Sequence, residues 1–146
     1  MNLQPPARKD AVIYDLDGTL VDTMRYEAHH KHKHMGFAKE ALNAEPIDEN
    51  VEKLKEDQDK GRSIVILTAR SAHYRRQTEH WLKKHDIQPD MLVMRPATDH
   101  ETPDSKIKKK LLKEKIDPVF NPIKAYDDKK KNVKMFKKQG IKAKKV

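Results

Sequence analysis

The residues best suited to chemistry sit in "AVIYDLDGTLVDT", residues 11–23, where four apolar or aromatic residues run directly into Asp15 and Asp17, with Gly18 and Thr19 following. A buried strand does not ordinarily end by aiming two carboxylates at one spot, because unpaired like charges repel. The pattern asks for a positive partner, and a metal ion is the obvious candidate. Two later apolar runs end in a related way. "SIVILT" (63–68) closes on Thr68, and "IKAYD" (123–127) closes on Asp127 with Asp128 behind it.

These side chains need elements to position them. Short, apolar, β-branched or aromatic runs predict strands at 11–16, 63–68, 91–94 and 123–127, with a weaker one in 141–146. Helical patterns lie between them. In "DENVEKLKEDQDKG", Asp48 is the expected N-cap and Gly61 the stop. "SAHYRRQTEHWLKKHD" places Tyr74, Trp81, Leu82 and His85 near one face, the tryptophan and tyrosine reading as core residues rather than base-stacking platforms. "DSKIKKKLLKEKID" places Ile107, Leu111 and Leu112 on one face, and "KKKNVKMFKKQG" turns Val133 and Phe136 inward with Met135 flanking. Strands alternating with helices predict an α/β fold, a mainly parallel central sheet with helices on both faces. Ligands of such sheets bind beyond the carboxyl ends of the strands, where Asp15, Asp17, Thr68, Asp127 and Asp128 fall. The segment at about 23–47 does not fit the alternation and reads as a small insertion over the site.

The length, 146 residues, suits a single domain over 1–146. There is no cysteine, which excludes disulfides and thiolate metal sites. No apolar run approaches the roughly 20 residues of a membrane span, and the N-terminus has no apolar signal segment, so a cytoplasmic protein with no membrane partner is expected. The net charge of +9 is uneven: residues 104–146 hold sixteen Lys, no Arg and five acids. Such a half suits a polyanion such as nucleic acid, or it is a set of solvated helix faces.

"DLDGTL" (15–20), "LTAR" (67–70), a lysine opening a helix in "DSKIKKK" (104–110) and "YDDKKKN" (126–132) resemble, in order, the four motifs of the haloacid-dehalogenase-like phosphohydrolases. The resemblance implies a Rossmann-like core and a role for each residue. Asp15 resembles the nucleophile that forms an aspartyl-phosphate, and Asp17 the general acid and base. Thr68 resembles the hydroxyl that binds a phosphoryl oxygen. Lys106 resembles the lysine that neutralises the nucleophile and phosphate; of the run 106–110 it lies in the first helical turn, nearest the strand ends. Asp127 and Asp128 resemble the metal-binding acids, with Asp15 and the Asp17 backbone carbonyl completing the set. Hard oxygen ligands around a phosphate imply Mg²⁺.

Beyond the motifs, Arg70, the helix over Arg75–Leu82, Met94 with Arg95, and the ending from Asp127 to Ile141 resemble the 3′-phosphatase domain of phage-type polynucleotide kinase-phosphatases. Thr68, Ala69, Arg70, Arg95 and Lys106 are then the expected substrate-binding set. The four glycines fit no kinase P-loop, so a kinase domain is not expected within this chain. The implied activity is hydrolysis of 3′-phosphate ends of DNA or RNA. Mononucleotide hydrolysis and non-catalytic nucleic-acid binding are the alternatives, and the oligomeric state is left open. "HHKHKH" (29–34) has zinc-like i,i+4 spacing at His30 and His34, but its interleaved lysines favour a solvated or substrate-facing basic segment.

Overall fold

The structure, a computed structural model, describes residues 7–23 and 43–146. The histidines of 29–34 lie outside them. Five strands form one sheet: β1 (Lys9–Tyr14), β2 (Ser63–Ser71), β3 (Met91–Arg95), β4 (Phe120–Asp127) and β5 (Lys142–Lys145). Their order is β3-β2-β1-β4-β5, and every pairing is parallel. The chain therefore starts at the centre of the sheet, and all five carboxyl ends share one edge.

Among the described residues four α-helices cover the sheet: α1 (Asp48–Asp59), α2 (Arg75–Lys84), α3 (Asp104–Leu111) and α4 (Lys130–Lys138). Alternation along β1 divides the core in two. Val12 and Tyr14 pack with Val51 and Leu54 of α1 and with Trp81 and Leu82 of α2. Ala11 and Ile13 pack with Ile107 and Leu111 of α3 and with Met135 and Phe136 of α4. A strand buried on both faces has no polar position to spare, which is why its sequence reads as an unbroken apolar run. Met135, expected only to flank, shares this core with Phe136, while Val133 is buried beside them.

Two boundaries differ from expectation for local reasons. The fourth strand begins at Phe120, ahead of Pro122, because the β1–β4 ladder shifts register between Ala11 and Val12, beside the Ala11–Pro122 pair. Such an irregularity tolerates a residue with no N–H. Asp48 is the first helical residue rather than the N-cap; Ile47 occupies the cap and offers no side-chain acceptor. Asp48 and Glu49 still lie in the first turn, where the helix dipole favours negative charge. Tyr74 is half-buried ahead of α2 and His85 follows its end, its ring 4.4 Å from that of Trp81.

Most of the expected insertion at about 23–47 lies outside the described residues, and the described segments on either side of it are tied together. Asp22 N–H donates to Glu45 O at 2.9 Å, and Ile47 N–H to Leu20 O at 2.8 Å.

Leu54 is fully buried between α1 and the sheet. Leu54→Ala is expected to cost about 2–5 kcal/mol. Urea unfolding checks this: the midpoint should fall with the m-value unchanged.

Candidate active site

The site begins with the turn that ends β1. The Leu16 carbonyl accepts from the N–H groups of Thr19, Leu20 and Val21 at 2.9–3.2 Å, and Gly18 N–H donates to Val21 O at 2.8 Å. Asn50 of α1 buttresses this turn, donating from Nδ2 to Thr19 O at 2.8 Å. Gly18 has φ +84, and a Cβ built on it would lie 2.6 Å from Asp128 Cγ. The glycine is needed both for its backbone angle and for the space that Asp128 fills.

Asp15, Asp127 and Asp128 each offer an oxygen within 4.8 Å of the others. Lys108 reaches between the first two: Nζ donates to Asp15 Oδ1 at 2.7 Å and to Asp127 Oδ2 at 2.7 Å. Asp15 Oδ2 accepts from Thr19 Oγ1 at 3.2 Å. Asp127 Oδ1 accepts from Lys129 N–H at 2.9 Å and from Asn132 Nδ2 at 3.1 Å. Burial pushes the Asp15 carboxyl well above the usual carboxylate range; Lys108 pulls against this, and the charges of Asp127 and Asp128 add to it. The two carboxylates raise the Lys108 ammonium pKa despite its burial.

The cluster fits a divalent cation. Its donors are hard carboxylate oxygens. Three carboxyl groups gather around one buried ammonium, and Asp128 Oδ1 is buried with no hydrogen-bond partner among the described residues. The Asp17 carboxylate is directed elsewhere, so only its backbone carbonyl remains available for the expected metal set.

That carboxylate is gripped by Arg70, whose Nη2 donates to Oδ1 at 2.5 Å and Nε to Oδ2 at 3.1 Å. Arg70 Nη1 donates to Thr78 Oγ1 of α2 at 3.1 Å. The guanidinium expected on substrate thus holds Asp17 here. Thr68 is buried, and its Oγ1 accepts from Arg70 N–H at 3.0 Å. The β2–β3 register becomes irregular between Thr68 and Ser71, which lets the chain turn at the site.

Two expected substrate residues are placed otherwise. Lys106 is exposed, and the lysine at the carboxylates is Lys108. Helical side chains slant toward the N-terminus, so a residue in the second turn reaches back to the strand ends. Lys108 also stands three residues before Leu111 and four before Leu112, on the buried stripe, whereas Lys106 does not. That spacing was the available signal. Arg95 is a strut: Nε donates to Ala69 O at 2.9 Å, Nη1 to Thr102 O at 2.7 Å and Nη2 to Asp104 Oδ1 at 3.0 Å. It ties the end of β3 to β2 and to the start of α3, and its nitrogens are engaged by protein. Asn132 and Asn50 had no sequence signal, because an asparagine in a polar helix looks like any solvated residue.

Sheet order, site edge and acid cluster together define the class, a haloacid-dehalogenase-like phosphohydrolase. Within it, the chain belongs to the polynucleotide kinase PNKP phosphatase domain family, whose model matches residues 9–146. It is similar to a chain of the solved Pnkp1/Rnl/Hen1 complex, at 27% identity and TM-score 0.82, covering 99% of this chain and 48% of that one. A chain of the Pnkp1/Rnl/Hen1 RNA repair complex matches equally well, with 44% of it covered. The protein spans about half the length of these chains. A class C acid phosphatase from Bacillus anthracis shares the fold at 16% identity and TM-score 0.63, over 84% of this chain and 53% of that one. So does a hydrolase from Streptococcus pneumoniae TIGR4 at 13% and 0.60, over 95% and 93%. No curated protein matches the chain. Among the described residues no helix is long and apolar enough to cross a membrane.

Lys108→Ala is expected to lower aryl phosphate turnover by about 100-fold or more, the scale of losing one preorganised charge-stabilising group. Lys106→Ala should stay within about twofold, and parallel initial rates check both. Gly18→Ala should weaken metal binding by displacing Asp128, read by calorimetric titration with Mg²⁺.

Proposed function

We propose that this phosphohydrolase is a Mg²⁺-dependent polynucleotide 3′-phosphatase that works through an aspartyl-phosphate on Asp15. The observation that carries the reading is the meeting of Asp15, Lys108, Asp127 and Asp128 at one sheet edge, with Asp17 held two residues from Asp15 by a different partner.

The Asp15 carboxylate attacks phosphorus while the bond to the leaving ester oxygen breaks, and Asp17 delivers a proton to that oxygen. Water then attacks the aspartyl-phosphate, Asp17 takes its proton, and the Asp15–phosphorus link breaks to release inorganic phosphate. Lys108 balances charge on Asp15 throughout. The Thr68 hydroxyl and the Ala69 backbone N–H bind phosphoryl oxygens. Arg70 orients Asp17. Asp15, Asp127, Asp128 and the Asp17 carbonyl are the residues that would hold Mg²⁺, which supplies positive charge against the phosphoryl oxygens and the carboxylates.

The 3′-end of a polynucleotide is favoured by the family, by the basic C-terminal half, and by the likeness to a chain of an RNA repair complex, which inclines the reading toward RNA ends. The partners are then nucleic-acid ends bearing a 3′-phosphate.

Asp15→Asn should abolish turnover of an aryl phosphate while the protein stays folded, and excess chelator should do the same to the wild type. Retained activity in either case sinks the mechanism. For the substrate, kcat/KM should be higher for a 3′-phosphorylated oligonucleotide than for a 3′-mononucleotide. It should also fall more steeply with salt, because each backbone phosphate contacted on a single strand contributes a log–log slope of about −0.7. Equal efficiencies with equal slopes would favour the mononucleotide reading.

A further inference from the structure

One face of the sheet's β5 side is paved with lysines. Lys124 of β4 pairs with Lys142 of β5, and Tyr126 pairs with Lys144. Paired residues, and residues two apart on a strand, share a face. Lys124, Lys142 and Lys144 therefore stand on the face of Tyr126, the one that Val12, Tyr14 and α1 also occupy. Lys124 Nζ lies 4.9 Å from the centre of the Tyr126 ring, and Lys53 Nζ of α1 lies 5.8 Å from it. Two ammonium groups thus approach one tyrosine ring, Lys142 and Lys144 stand on the same face of the neighbouring strand, and the tyrosine is followed directly by Asp127 of the site.

The chain that follows adds to this charge: from Lys129 to Val146 the sequence has nine lysines and no acid. Acids reach this face from α1. Glu49, 3.8 Å from Lys53, is 82% exposed, so solvent screens it, and the buried Asp57 is taken up by the Tyr14 hydroxyl and Arg62. At the opposite edge of the sheet, the loop after β3 carries Asp99 and Glu101, and its one buried arginine, Arg95, is tied to Asp99 and Asp104. The β3 side also carries the exposed Arg75 of α2, whose Nη2 donates to Leu92 O at 2.8 Å; β5 itself carries lysines and no acid.

Lysines on an edge strand also discourage edge-to-edge pairing. That explanation covers Lys142, Lys144 and Lys145. It does not cover Lys124, which is half-buried on an inner strand, or Lys53, which comes from a helix; both ammonium groups converge on the same ring.

We propose that the β4–β5 face formed by Lys53, Lys124, Lys142 and Lys144 binds the sugar-phosphate backbone of a single-stranded polynucleotide whose 3′ end occupies the site. The proposal rests on the 3′-phosphatase reading and adds to it the surface and direction of the strand: across β4 and β5, away from β3. Lys124 stands three residues before Asp127, about 10 Å along the strand, so the face is close enough to bind nucleotides next to the reacting end. Contacts with phosphates neither read base sequence nor touch the chemistry, so their loss should alter polymer binding and leave small substrates alone.

The test uses the full chain and a short single-stranded oligonucleotide ending in a 3′-hydroxyl, which binds without turnover. Affinity is measured by fluorescence anisotropy between 50 and 200 mM salt. The triple variant Lys124→Ala/Lys142→Ala/Lys144→Ala should bind about tenfold more weakly or worse at 50 mM, with a log–log salt slope shallower by about 2, three contacts at about 0.7 each. Its kcat/KM on an aryl phosphate should stay within about twofold of wild type. The control Lys134→Ala/Lys137→Ala/Lys138→Ala, on exposed positions of α4, should lose less affinity. Because Lys124 is half-buried, the exposed pair Lys142→Ala/Lys144→Ala is measured alongside, with an expected slope change of about 1.4. Unchanged affinity and slope in that pair, or a larger loss in the α4 control, overturns the proposal. Turnover of 3′-phosphate oligonucleotides that ignores these lysines sinks the face alone. Lysine-dependent binding without 3′-phosphate hydrolysis sinks the substrate reading and leaves the face standing.

Discussion

Everything at the sheet edge depends on one buried ammonium held between two buried carboxylates. Lys108 is 2% exposed in its side chain, and its partners Asp15 and Asp127 are 7% and 1% exposed. Removing three charges from water is costly, and the pairing offsets that cost only with good geometry. The two 2.7 Å contacts provide it. They also join three elements that are distant in sequence: β1, β4 and α3. Breaking such a pair typically costs about 3–5 kcal/mol, because a charge is left buried without a partner. The lysine is thus a structural clamp before it is anything chemical, and it holds α3 in place over the two central strands.

One ammonium cannot satisfy three carboxylates, and this deficit is what makes the edge a site rather than a salt bridge. Asp128 is kept close by the missing Cβ of Gly18. Asp127 is anchored by Asn132 and by the Lys129 N–H, so it cannot turn away to reduce the repulsion. The fold therefore gathers three carboxyl groups around one buried ammonium, a donor set that suits an added cation. The two aspartates of "DLDGT" have different partners. Asp15 belongs to Lys108, while Asp17 belongs to Arg70, which is itself braced by Thr78. Two carboxyls two residues apart can then differ in role because they differ in counter-ion.

The strands were legible because burial on both faces leaves only apolar residues, and their polar ends showed which edge would carry the chemistry. Asp15, Thr68 and Asp127 could be placed from that rule. What stayed hidden depends on direction rather than position. Lys106 and Lys108 differ by two residues in a run of like residues, and only the slant of helical side chains separates them. Arg95 carries the same charge as a substrate-binding arginine, yet it faces carbonyls and carboxylates of its own chain; no pattern in "MRPATDHETPDS" shows that those acceptors curl back onto it. The strand expected from residue 123 begins at Phe120, because a register shift in the ladder accommodates Pro122. Each of these is a tertiary fact that local sequence does not encode.

The charge distribution follows from the same topology. β1 is central, so the acids of β1 and β4 sit mid-sheet, and the outer strands β3 and β5 are free to differ in character. On the β3 side the loop that follows the strand is built around Arg95, which takes Asp99 and Asp104 as partners. The β5 side has no buried cation to satisfy. Its lysines can face outward, and the one acid pair nearby, Asp127 and Asp128, is already committed to Lys108, Asn132 and the space beside Gly18. An edge strand whose lysines face outward, beside a site of buried acids, would give a bound polyanion an orientation before a single base is read.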